Sequence, residues 1–169
     1  TFVARICSNW MYEFRMIDEI ESGSLNSLLV RPVSFFESYL SQFMGYKLMT
    51  ALMSWWVPVA AVLIFKLPMI WWHLPKVILT VTLYLVLIHT ISFSISTLAF
   101  SLTRVGSFTV AKNLAFWVLS GELVPIDLMP DPYRTWLVSL PFCNAVYIPV
   151  GYLTGRVSDE LWLSGIYST

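Results

Sequence analysis

The chain has 169 residues, 57% hydrophobic and 12% charged, with formal net charge zero and mean hydropathy +0.72. Soluble domains carry about 25% charged residues, so this composition leaves too few charges to coat a water-facing surface and excludes an ordinary soluble domain. With no basic block in the sequence, nothing points to nucleic acid as a partner. The class is an integral membrane protein, and eight Trp, eight Tyr and eleven Phe fit the aromatic enrichment of membrane interfaces.

In chain order, residues 1–21 read as a helix. Val3, Ile6, Cys7, Trp10, Phe14 and Ile17 recur at three- and four-residue steps, with Glu13, Asp18 and Glu19 mostly off that stripe. Two placements fit: the cytoplasmic end of a preceding helix, or a surface helix in the headgroup zone. The next stretch, residues 20–32 (IESGSLNSLLVRP), is too short and too polar to cross a membrane. Its punctuation is specific. Gly23 can end the preceding helix in a left-handed conformation, and Ser24 can cap the next one. Leu25, Leu28 and Leu29 share one helical face, Arg31 offers donors near the end, and Pro32 stops the helix. The bland alternative is an amphipathic helix resting on lipid, but lipid alone does not require two breaks.

Residues 48–65 are eighteen uncharged residues between Lys47 and Lys66. A span needs ~20 apolar residues, with a range of about 17–25, and Pro58 is tolerable where neighbouring helices satisfy the freed carbonyl. Residues 77–103 contain no Asp, Glu, Lys or Arg and form the clearest span. The connecting loop holds two prolines and the Trp71–Trp72 pair, as an interfacial turn should. Residues 107–121 give a third span, in which Lys112 is expected to carry its ammonium to the interface on its long stem. Residues 135–155 are also uncharged. However, Pro141 and Pro149 each cost about 3 kcal/mol in a helix interior. They break the segment into pieces suited to short re-entrant or interfacial helices. From residue 159 a last helix begins, with Ser158 as N-cap and Asp159 and Glu160 in its positive first turn.

Orientation follows the cationic residues. With residues 1–47 cytoplasmic, that side holds Arg5, Arg15, Arg31, Lys47, Arg104 and Lys112, against Lys66, Lys76, Arg134 and Arg156 outside. Cys7 and Cys143 lie far apart, with no metal-like spacing and no disulfide framework. No phosphate loop, HExxH or GxSxG motif occurs. His73 falls in an interfacial loop. His89 lies mid-span, with Thr82, Ser92 and Ser96 on its face, and Thr90, Ser94 and Thr97 widen the polar strip. Such a strip either lines a path or packs the bundle through interhelical hydrogen bonds.

The order of these motifs resembles the membrane subunit of ABC-2 type transporters, closest to the six-span bacterial subgroup. The E-x-G-x-L…LL-x-R-P stretch, with Glu21, Gly23, Ser24, Leu25, Leu28, Leu29, Arg31 and Pro32, looks like that family's coupling region. The run Gly121, Pro125, Pro130, Pro141, Phe142, Pro149, Gly151 looks like its external re-entrant hairpin, here residues 122–155.

The resemblance implies an all-α, polytopic transmembrane domain over residues 1–169, with a cytoplasmic helix and coupling region at 1–47. Residues 48–121 would be spans three to five, two spans would be missing upstream, and residues 159–169 would start a last span that is cut short. It also implies a permease of a bacterial inner-membrane exporter, paired with a second permease subunit as a homo- or heterodimer. The chain itself would carry no cofactor, and ATP and Mg would sit on a partner ATPase. The Trp, Phe and Met content of the spans suits a hydrophobic or amphipathic substrate. The alternatives are an intramembrane lipid- or peptide-processing enzyme using His89 with a serine, a secondary transporter, or an assembly scaffold.

Overall fold

The computed structural model describes the chain except residues 1, 8–9, 25, 27–29, 31–33, 67, 103–104 and 169. Among the described residues every regular element is helical. The first pattern gives α1 (Phe2–Cys7) and α2 (Trp10–Glu21). Next comes α3 (Phe35–Ser54), opened by Ser34, whose hydroxyl accepts from the Glu37 N–H at 3.4 Å. α3 runs almost directly into α4 (Trp56–Phe65). The interruption at Trp55 has a local cause, because Pro58 has no N–H to give the Ser54 carbonyl.

This helical rod, Phe35–Phe65, has 31 residues. At about 1.5 Å per residue it is some 46 Å long, well beyond the ~30 Å hydrocarbon core. It begins well before residue 48, where hydropathy alone placed the start. The capping serine and the acidic first turn set that start, and an apolar window does not register either of them. Burial divides the rod. Tyr39, Phe43 and Lys47 form one buried stripe, whereas α4 buries nothing.

α5 (Leu74–Thr97) is the central post, and with short 3-10 turns at both ends it forms a second rod, Trp71–Phe100. It packs against α2, α3 and α6 (Gly106–Leu119) and against the later hairpin. Both rods are long and apolar enough to cross a membrane. α6 is not: its 14 residues reach only about 21 Å. Gly121, with φ +76°, stops it by a left-handed turn in which the N–H groups of Glu122 and Leu123 return to Trp117. The stretch expected as a third span, residues 107–121, coincides with α6 and the turn at Gly121 that ends it.

After Gly121 the chain breaks up, as its prolines require. It forms a 3-10 turn at Ile126–Leu128, α7 (Asp131–Val138), a 3-10 turn at Pro141–Ala145 and α8 (Tyr147–Leu153). Pro149 sits in the first turn of α8, where its missing N–H breaks no intrahelical bond. α9 (Asp159–Ser168) closes the described chain, and the Leu161 N–H donates to the Ser158 hydroxyl at 3.4 Å. One apolar core joins the hairpin to α5 and α9 through Val77, Ile126, Leu137, Ile148, Tyr152, Val157 and Trp162. A second joins α1, α3 and α5 through Cys7, Phe43, Tyr84, Leu85 and Ile88. Both cysteines are free and buried.

Candidate coupling and gating site

α2 ends in an exposed turn. Gly23 has φ +72° and returns its N–H to the Ile20 carbonyl at 3.2 Å, a left-handed stop that L-residues other than Gly adopt at a cost. The Ser24 hydroxyl donates to the Glu19 carbonyl at 3.3 Å and lies 3.0 Å from the Ser22 hydroxyl. Glu21 is exposed, and the Asn26 N–H donates back to the Gly23 carbonyl. Of the predicted coupling residues, Leu25, Leu28, Leu29, Arg31 and Pro32 lie outside the described residues. The end of α2 is tied down from the other side, since Glu19 takes a hydrogen bond from Tyr39 of α3 and a 2.9 Å ion pair from Arg15.

His89, Ser92 and Ser96 are all fully buried within this one chain. The His89 ring is packed among aromatic rings, edge-on to Phe36 at 5.0 Å and stacked with Phe43 at 5.5 Å. The strip read around it is narrower than its helical spacing predicted. Thr82, Thr90 and Ser94 are exposed, and each donates to the carbonyl four residues back, which satisfies the hydroxyl without any partner helix.

Ser92 belongs to a group that sequence reasoning did not assemble. The carboxylate of Glu13 on α2 pairs with the Lys112 ammonium on α6 and accepts from Asn113 Nδ2 at 3.2 Å. Lys112 also donates to Ser92 Oγ on α5 at 3.0 Å. The two charged side chains are only 1% and 7% exposed. Lys112 therefore does not carry its charge to an interface, and Glu13 is not on a solvated face. The pair solves the same problem more cheaply, because an ammonium in a low-dielectric interior needs a counter-charge. The available signal was a lone Lys in an uncharged stretch and a lone Glu on an apolar helix; their pairing was not readable.

The hairpin residues sit at packing joints. At Gly121 an added Cβ would come within 2.8 Å of Ile126, and at Gly151 within 2.5 Å of Val157. Phe142 stacks near Phe116 of α6 at 4.7 Å. The Pro130 carbonyl, at the start of α7, accepts from the N–H groups of Tyr133 and Arg134. Pro125 leads into the turn at Ile126, and Pro141 opens the next. Arg134 and Tyr147 converge on Asp127 at 3.5 and 3.2 Å. The Tyr147 hydroxyl beside Arg134 holds the guanidinium's pKa above its ordinary value.

A second unforeseen cluster locks the hairpin to the loop between the two rods. Lys76 Nζ donates to the Tyr152 hydroxyl at 2.8 Å and pairs with Asp159 at 3.1 Å, while Tyr152 donates to Asp159. His73 stacks on Tyr152 at 4.1 Å and its Nδ1 lies 2.9 Å from the Tyr152 carbonyl. Trp162 Nε1 donates to Thr80 Oγ1 at 2.8 Å. The Tyr152 hydrogen bond, then that from Lys76, holds the Asp159 carboxyl below its ordinary pKa.

Two apolar rods, a broken helical hairpin and a charge pair sealed among the helices define a helical membrane protein built around interhelical polar contacts. A family model described as ABC-2 family transporter protein matches residues 4–168, and the chain belongs to that family. It is thus the membrane component, or permease, of an ABC transporter, a kind of subunit that works with an ABC ATPase. No curated protein and no solved structure matches the chain.

Proposed function

We propose that this permease is an exporter subunit for a hydrophobic or amphipathic molecule, and that residues 21–32 receive force from a separate ATPase chain that holds the ATP and Mg. The observation that carries this reading is the end of α2. The helix is joined to α3 through Glu19 and to α6 through Glu13, with Lys112 extending that contact to Ser92 of α5, yet it stops at Gly23 in an exposed left-handed turn. Such an end presents the next segment to a partner while remaining mechanically continuous with the membrane helices. Residues 1–169 contain no phosphate loop, so on this reading nucleotide energy reaches them through a contact of this kind. Two permease subunits would frame the path. Residues 122–155 would shape its outer end, and His89, Ser92 and Ser96 would face it only after α5 parts from α2 and α3.

The test is co-purification of the ATPase with the wild-type permease and with Leu28→Asp. A carboxylate on the apolar face of the coupling element should abolish the complex while leaving the permease folded. Retention of the ATPase by that variant would rule out docking through this face.

A further inference from the structure

Two buried hydroxyls lie one helical turn from groups that bond the Glu13–Lys112 pair. Ser96 lies one turn beyond Ser92 on α5, and Thr109 lies one turn before Asn113 on α6. Both are fully buried, and neither hydroxyl has a hydrogen-bond partner among the described residues. A buried hydroxyl left unpaired is costly, and each such group calls for an explanation. The other hydroxyls of α5 show how readily the cost is avoided, because Thr80, Thr82, Thr90 and Ser94 all bond to carbonyls four residues back. Each of the two unsatisfied hydroxyls lies a single turn along its helix from a present partner of the ion pair, in both cases toward the segment that links α5 to α6.

We propose that α2 is a two-position slide on the α5–α6 pair, in which Glu13 moves one turn from Asn113 to Thr109 while Lys112 swings from Ser92 to Ser96. The charge pair stays intact throughout, so neither position strands a buried charge. The paired helices offer two discrete registers rather than a continuum, as packed interfaces do. Because α2 ends at the Gly23 turn, the slide is the internal stroke of the coupling element; this inference rests on the coupling reading above.

The test uses the permease–ATPase complex in lipid nanodiscs, with spin labels at Asp18→Cys on α2 and Leu114→Cys on α6, both exposed. The probe is Mg-ATP with vanadate. The expected result is a change in label separation of up to about 5 Å, one helical turn. That change should vanish in the Ser96→Ala/Thr109→Val double variant, which removes no hydrogen bond made in the present register. It should persist in the Glu13→Lys/Lys112→Glu exchange, which keeps the pair. A shift that survives the double variant, or no shift in the unmodified complex, overturns the slide while leaving the coupling reading standing. Failure of the ATPase to bind the unmodified permease removes the coupling reading itself, and the slide with it.

Discussion

At Gly151 there is no room for a methyl group, because an added Cβ would lie 2.5 Å from Val157 Cγ2. Val157 is itself buried in the core that joins the hairpin to α5, so it cannot swing into solvent. Gly151→Ala should cost ~1–3 kcal/mol, as overpacking does, and appear as a lower thermal midpoint in detergent. Gly45 is the internal control. It lies inside α3 with nothing within 4 Å of an added Cβ, so Gly45→Ala should leave stability unchanged or raise it by about 0.5–1 kcal/mol. Equal midpoints for the two variants would refute the packing account of Gly151. The sequence marked Gly151 only as a weak point in a broken segment. Its packing role depends on a residue six positions later that folds back onto it, and no local pattern encodes that contact.

At the scale of elements, the end of α2 was the most legible feature. A left-handed stop is a property of one residue's backbone, and glycine announces it. Gly23→Ala should therefore disturb the turn by about 1–2 kcal/mol, although nothing in space opposes the new methyl. Gly23→Asn, which tolerates the left-handed region, should do so less. Amide exchange across residues 20–24 would rank the two; faster exchange in the asparagine variant would contradict the backbone argument. The broken hairpin was legible for a similar reason, because prolines act on their own backbone neighbours. The start of α3 at Phe35 and the exact reach of α6 were not legible from hydropathy. A hydropathy window sums apolar side chains, whereas the limits of these helices are set by Ser34 and by Gly121.

For the molecule as a whole, the Lys76–Tyr152–Asp159 cluster ties α5, the hairpin and α9 at one end. The Asp159 carboxyl holds its proton less readily in the folded chain than in the unfolded one. Its contribution is therefore fully present above the ordinary Asp pKa of about 3.9 and is lost as pH falls through the depressed folded value. Thermal stability should stay flat in this respect from neutral pH down to about 4 and decline below it. In Asp159→Asn that part of the acid slope should be absent; an identical acid limb in the two proteins would rule the cluster out as its source.

The sequence by itself determined the solvent in which this chain folds, the apolar cores of its two rods, the stop at Gly23 and the fragmentation of the hairpin. Each of these is a sum over a short window or a constraint on one residue's own backbone. Only the tertiary structure decided which polar groups meet. Glu13 and Lys112 are 99 residues apart in the chain, as Lys76 and Asp159 are 83 apart. Each alone has an ordinary local explanation, a solvated face or a snorkelling stem. Burial removes water as a partner and forces such groups to find one another, and which ones do so depends on how α2, α5 and α6 pack.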